Sequence, residues 1–455
     1  MMENTKVDML SGSIYKGLIS MAIPIMIMNV MQNMFSIIDM SILGKFTNDT
    51  AVGAVGACGT LITLITGLLI GISTGANVLV AKCIGAGKRE RTEKAIGTAI
   101  LFALVGGFAL LIIGMSFAEV FLKMVNCPKE LLPQAILYFR LYFIGVPMIM
   151  IYNFSASILR ASGDTKRPMY YLIIGGGVKV ILNYCCVTIF NMTVEGVAIA
   201  TIASNIISGG LAFLALVKNS DKASFRFSRM RFFSSELKEM LFIGVPAGMQ
   251  TALYSLANTV IATAVNSFGA DATTGISIAN QFDGVLYQIS TATAFASMPY
   301  IAQNIGAGNL VRAKKTIVNS VVITVMFGAG FGALSAIFCR ELSGIMSSTP
   351  AVIEYSCQKM VIVSSTYFIC GINEVMGGTL RGLGRPIIPT ISTLVFMCLI
   401  RFVWVYGIFP LYPNLTFLYL IWPIGWVLSI ITQLIAYFPT MRKLQKSNSV
   451  RPQTV

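Results

Sequence analysis

The 455-residue chain contains no histidine. That removes imidazole as a metal ligand, as a general base and as a proton relay. Charge is scarce as well. Only 11% of residues are charged and 56% are hydrophobic, against roughly 25% charged in soluble domains. Such a composition points to a bilayer rather than water as solvent. The nine cysteines form no Cys-x-x-Cys pair and read as small, polarizable packing residues. No Gly-x-x-x-x-Gly-Lys-[Ser/Thr] occurs, so the chain has no P-loop with which to burn ATP. The run Gly85-Ala86-Gly87 lacks the third glycine and the preceding strand of a dinucleotide fingerprint. With no zinc spacing and no evident acid pair, the chain is not expected to be an enzyme.

What the chain does have is long apolar runs. Twelve stretches are long enough to cross roughly 30 Å of hydrocarbon: 18–43, 51–80, 95–118, 131–156, 168–190, 195–217, 239–266, 275–303, 316–338, 354–378, 387–409 and 416–438. The first is too long for a cleaved signal, and no leader is expected. The net charge of +15 would suit nucleic acid, but its placement argues otherwise. With a cytoplasmic N-terminus, 25 of the 33 basic residues fall in inner segments, and only Lys45, Lys123, Lys129, Arg140, Arg340 and Lys359 in outer ones. The positive-inside rule accounts for that split, so both termini are expected in the cytoplasm and no nucleic-acid partner is expected.

The sequence also repeats itself. Residues 83–91, CIGAGKRER, return as 304–312, NIGAGNLVR, and Leu159-Arg160-x-x-Gly163 returns as Leu380-Arg381-x-x-Gly384, both at an offset of 221. IPIMIMN (23–29) has a counterpart in VPAGMQT (245–251) at 222. Each half carries six crossings, an even number, so the halves enter the bilayer in the same orientation. The expected fold is an all-α polytopic membrane protein, twelve transmembrane helices in two parallel-repeat six-helix lobes. Its expected parts are an N-terminal lobe 1–217, a cytoplasmic linker 218–238, a C-terminal lobe 239–440 and a cytoplasmic tail 441–455. Two such bundles suit alternating access. The Gly-Ala-Gly loops read as equivalent inner turns in which glycine permits φ > 0 and basic residues meet anionic headgroups.

Several of these residues carry a resemblance. Pro24 and Asp39 in the first helix, the Asp39–Gly44 D-x-x-x-x-G pattern, the I-G-A-G loops and LRASGDTKRP (159–168) resemble the multidrug and toxic compound extrusion (MATE) transporters over roughly residues 10–440. The resemblance implies cation-coupled export of drugs or similar amphipathic compounds. It also implies that Asp39 binds the coupling cation and that Pro24 is the bending point, or hinge. Asn183 matches a family asparagine of the same pocket. Val187 stands where the family often has an aspartate, which leaves Na⁺ a poorer oxygen cage and makes a proton more plausible. Tyr254 and Cys370 stand where some branches carry second-lobe acids, so that acid site does not carry over intact.

Ionizable groups at membrane depth are costly and functional by default. Asp39 shares one helix face with Met28, Gln32, Phe35 and Ser36, and Gln32, Ser36, Asp39 and Asn183 are the expected coupling site for H⁺ or Na⁺, the Na⁺ possible at Asp39. Glu374 and its repeat-mate Asn153, each seven residues before an arginine, are expected to wall a substrate cavity with Asp283, Tyr254, Lys179 and Arg401. Asp283 and Arg401 are expected to neutralise one another. Lys179 either tethers Asp39 or lines the cavity. Apart from the coupling ion, no cofactor is expected.

The expected activity is secondary antiport: small organic, chiefly cationic, compounds exported in exchange for H⁺ or Na⁺. The protein is expected to act as a monomer in the bacterial cytoplasmic membrane. The alternative is a flippase for a lipid-linked precursor, whose cavity would be richer in cations.

Overall fold

The computed structural model describes residues 6–219 and 223–449. Lys222 and Arg451, two of the 25 basic residues counted to inner segments, and residues 450–455 of the tail lie outside the described residues. Long helices follow one another: α1 Ile14–Phe46, α2 Asp49–Gly85, α3 Arg89–Met124, α4 Leu132–Ala161, α5 Lys166–Thr188, α6 Val194–Val217, α7 Ser234–Asn266, α8 Ala270–Gly306 and α9 Leu310–Ile337. Then come α10 Pro350–Gly382, α11 Ile387–Leu411 and α12 Leu415–Lys446. Each apolar window falls in one of these twelve to within two residues at its ends, and the fold is the expected all-α membrane architecture.

Eleven of the described helices are both long and apolar enough to cross a bilayer. The other is α8, whose 37 residues give ample length but whose sequence carries Gln281, Asp283, Gln288, Gln303 and Asn304. It spends apolarity on polar groups that are largely buried, Asp283, Gln303 and Asn304 among them. The nine cysteines are free thiols, most of them buried.

The repeat is visible in the backbone. Gly87 and Gly308, the last glycines of the two Gly-Ala-Gly loops, have φ of 66° and 74°, and Gly163 and Gly384 have 89° and 76°. All four end helices in the left-handed conformation that glycine adopts without a Cβ penalty. Small residues also set helix spacing, as in other bilayer proteins. A Cβ on Gly107 would lie 2.7 Å from Cα of Pro147, and one on Gly328, its repeat-mate, 2.7 Å from Cα of Phe368.

The chain divides into two compact units whose limits differ from the expected 1–217 and 239–440. One holds Ile27–Val245; the other holds Asp8–Met26 and the chain from Pro246 on. Both divisions fall next to an interior helix proline, Pro24 in α1 and Pro246 in α7.

In the first unit the opening turns of α7 are held by α2 and α3. A Cβ on Gly75 would meet the Met240 carbonyl at 2.1 Å and the Gly244 nitrogen at 2.8 Å. Glu239 takes Lys82 at 2.9 Å and Arg91 at 2.7 Å, and Arg91 also reaches Glu236 at 3.4 Å. Lys94 pairs with Glu90. Several basic residues of this loop are therefore paired with carboxylates, where the sequence suggested lipid headgroups.

The second unit holds its N-terminal segment in a comparable way. Arg312, the repeat-mate of Arg91, donates to the carbonyls of Met9 at 3.0 Å, Gly12 at 3.0 Å and Ser11, while Asn304 donates to Met9 at 3.1 Å.

Candidate functional site

In the first unit the site is built by α1 and α5. Gly176, Lys179 and Asn183 recur at three- and four-residue spacing and so share one face of α5. Phe35 and Asp39, four apart, share a face of α1. Without a side chain, Gly176 admits the Phe35 ring against its backbone; a Cβ there would lie 1.9 Å from a ring carbon. That approach brings Asp39 to the two polar residues above it on α5. The Asn183 amide donates to Asp39 Oδ1 at 2.9 Å, and the Lys179 ammonium is ion-paired with Oδ2. Asp39 is 6% exposed and Asn183 wholly buried. The Asn183 carbonyl oxygen has no hydrogen-bond partner among the described residues. Val187 lies buried one turn on. Of the two alternatives for Lys179, the structure shows the tether.

Other residues expected in this pocket lie elsewhere. Gln32 and Ser36 are exposed and make no hydrogen bond to Asp39 among the described residues. Their shared face is wide enough that only Met28, Phe35 and Asp39 turn inward. Asn153, expected instead in the wall of the substrate cavity, donates to the Ile149 carbonyl of its own helix at 2.9 Å, so its amide is partly spent on α4.

In the second unit a cavity of about 500 Å³ lies among α7, α8, α10, α11 and α12. Asp283, Lys359 and Arg401 are its charged lining, with Tyr254, Tyr287 and Trp422 among its aromatic walls. The expected Asp283–Arg401 pair does not form. Asp283 pairs with Lys359 at 2.8 Å and accepts from the Ser364 hydroxyl at 3.1 Å. Arg401 donates to Asn258 at 2.7 Å. Both cations lie by the Trp422 indole, Lys359 at 5.2 Å and Arg401 at 5.3 Å from its centre, within cation–π range.

Lys359 is thus no outer-loop residue. It is 1% exposed because it lies within the tenth helix, inside protein and beside an acid. The signal was present: Lys359 falls five residues inside the apolar window 354–378, where a lone base needs a partner. Asn258 and Trp422 carried no comparable signal.

Glu374 is buried too, with Tyr254 and Arg381 beside it, and its Oε1 has no hydrogen-bond partner among the described residues. Arg381 donates to Gln250. The second unit therefore buries three bases, Lys359, Arg381 and Arg401, where the sequence reading had allowed for one.

Comparison with known proteins matches both halves of the chain. The MatE family model fits residues 24–185 and 246–406, starting at Pro24 and Pro246. Over 390 residues the chain is 24% identical to the probable multidrug resistance protein YoeA of Bacillus subtilis (strain 168), covering 84% of each. Over 401 residues it is 24% identical to an FAD transporter of Shewanella oneidensis, covering 86% of this chain and 87% of that one. A solved outward-facing multidrug resistance MATE transporter of the MOP superfamily superposes with a TM-score of 0.89 at 18% identity, over 96% of this chain and 98% of that one. At that identity the likeness establishes the fold.

Proposed function

The chain belongs to the MatE family of membrane transporters, and from that premise we propose that it is a secondary antiporter driven by protons through Asp39. YoeA is named for multidrug resistance and the Shewanella relative for FAD transport; from those names we take small organic solutes, amphipathic cations among them, as the class exported. We take it to act as a monomer in the bacterial cytoplasmic membrane, with both termini inside, as the distribution of its basic residues supports.

The observation that carries the proton is the occupancy of the carboxylate. Lys179 stands at one oxygen and an amide N–H at the other. A sodium ion would have to displace the ammonium and then meet a donor, with the Asn183 carbonyl oxygen as its one spare neutral ligand. A proton needs a single oxygen. Unprotonated, the Asp39–Lys179 pair is neutral. Protonated, it carries the charge of Lys179, which opposes a cationic cargo and favours its release. Loss of the proton on the inner side restores the neutral site. Exchange of one proton for one monovalent cation moves no net charge, so the pH gradient drives it; for a neutral cargo the one charge moved across 100 mV adds about 2.3 kcal/mol. Pro24 removes one helix hydrogen bond from α1 fifteen residues before Asp39 and is the proposed hinge.

Proteoliposomes loaded with an organic cation such as ethidium test this. A pH gradient should drive transport, a Na⁺ gradient at matched pH should not, and Asp39→Asn should abolish the driven flux while inserting normally. Transport driven by Na⁺ alone would replace the proton with Na⁺ as the coupling ion.

The flippase alternative draws support from the three bases buried in the second unit. Movement of a lipid-linked pyrophosphate between leaflets of the same vesicles, with no ion gradient, would favour it.

A further inference from the structure

The cavity of the second unit carries a charge balance that a receptor for organic cations has no use for. Its single carboxylate, Asp283, is already engaged at both oxygens, by Lys359 and by the Ser364 hydroxyl. The same contact neutralises Lys359, which also reaches Asn280. Arg401 is different. A guanidinium has five N–H donors. Among the described residues Arg401 gives one hydrogen bond, from Nη1 to Asn258, and pairs with no carboxylate. It is 1% exposed. Beyond that bond it has the Trp422 ring face at 5.3 Å; a buried cation with no anion to pair it is costly, and at membrane depth it marks a place where something charged is received.

The backbone around Arg401 is irregular in a way that fits this. The residue sits in a four-residue α turn, Ile400–Val403, between two π segments, Leu394–Leu399 and Trp404–Ile408. Each π turn re-aims the side chains that follow it, and such turns recur at functional sites. The surrounding walls are flat and aromatic: Tyr254 and Tyr287, with ring centres 6.2 Å apart, and Tyr367 with Trp426 at 5.4 Å. The volume, about 500 Å³, falls in the range of small-molecule pockets, roughly 300–1,000 Å³.

We propose that this cavity binds a flat aromatic solute bearing an oxyanion, with the oxyanion on Arg401 and the ring system among Tyr254, Tyr287 and Trp426. Asn258 holds the guanidinium by its one engaged nitrogen and leaves the others to the ligand. A guanidinium fork matches sulfonate, carboxylate or phosphate geometry, and charge-assisted bonds of this kind are the strong ones. An organic cation entering the same space meets Arg401 and finds no free carboxylate in the lining, Glu374 lying behind Tyr254 and outside it. The use of the site in export rests on the antiporter reading; the binding preference does not.

The test is calorimetry on the detergent-purified full chain with three naphthalenes of one shape and different charge. Naphthalene-2-sulfonate should bind roughly ten- to a hundredfold more tightly than neutral naphthalene-2-methanol, and 2-naphthylmethylammonium should bind most weakly. This series needs no variant. Arg401→Gln should bring the sulfonate down to the affinity of the alcohol, whose own binding stays unchanged, and Arg401→Lys should fall between. Equal affinities for the three probes, or tightest binding of the ammonium, overturn the proposal. So does a sulfonate preference that survives in a monodisperse Arg401→Gln protein. If vesicles show no gradient-driven transport of any solute while calorimetry keeps the charge preference, the antiporter reading fails and the site stands. Driven transport without the preference sinks the site alone.

Discussion

Two lysines, the half-buried Lys179 and the buried Lys359, each neutralise a buried aspartate that would otherwise stand charged inside protein. Removing one partner of a buried pair costs about 3–5 kcal/mol, whereas replacing both with neutral groups is often near neutral. Lys179→Met should therefore lower the melting temperature sharply, and adding Asp39→Asn should restore most of it. If the double variant is as unstable as Lys179→Met, Lys179 matters for packing and not for charge. The same cycle on Lys359→Met and Asp283→Asn should behave alike, since both Asp283 oxygens are engaged. The sequence disclosed these residues unequally. Asp39 and Asn183 were legible because an acid in the first helix and an asparagine in the fifth both stand out against apolar neighbours. Lys359 is misplaced by counting bases by side of the membrane, because that count assigns a lysine in the outer turns of a helix to the adjoining outer segment. The identity of its partner depends on how α8 and α10 meet, and no spacing within either helix encodes that.

Helix packing turns these residues into a site. Gly176 is the position on which α1 and α5 approach, since the Phe35 ring occupies the space a Cβ would need. Gly176→Ala should force the ring aside, costing about 1–3 kcal/mol as overpacking does, and should loosen Asp39 from Asn183 and Lys179. Melting of the variant, alone and combined with Phe35→Ala, measures this: the second change should recover stability by emptying the contested space. Absence of recovery would place the strain elsewhere. At this scale much was readable. The recurrence of glycine after Gly85-Ala86 and Gly306-Ala307 foretold two left-handed turns, found at Gly87 and Gly308. The length of α8 was readable, although its polar load keeps it below the hydropathy of the other helices. The π segments of α11 were not, because an extra residue in a helical turn leaves hydrophobic composition unchanged. Arg401 lies between those segments and bonds Asn258 in place of the expected Asp283.

At the scale of the chain, the duplication does not cut cleanly. Each compact unit includes a stretch from the opposite half of the sequence: Asp8–Met26 belongs with the chain from Pro246 on, and α7 up to Val245 belongs with the first. The reason lies in close contacts. Gly75 and Gly244 are packed backbone to backbone, Arg91 and Lys82 hold Glu239, and Arg312 holds three carbonyls of residues 9–12. A repeat read from sequence marks where copies begin, not which segments pack together, so the expected boundaries at 217 and 239 fell in the linker. The difference can be measured. Residues 1–219 and 223–455 expressed as separate polypeptides should each be degraded or aggregated alone, because the first lacks the α7 turns that cover Gly75 and the second lacks the segment that Arg312 holds. Expressed together, they should co-purify through a tag on either one, and ethidium transport should return. Alanine at Arg91 and Arg312 should weaken that recovery, since each loses the grip on a segment supplied by the other polypeptide. A first half that is monodisperse and stable by itself would show that the opening turns of α7 are dispensable to its unit, and that the division at Pro246 has no energetic weight.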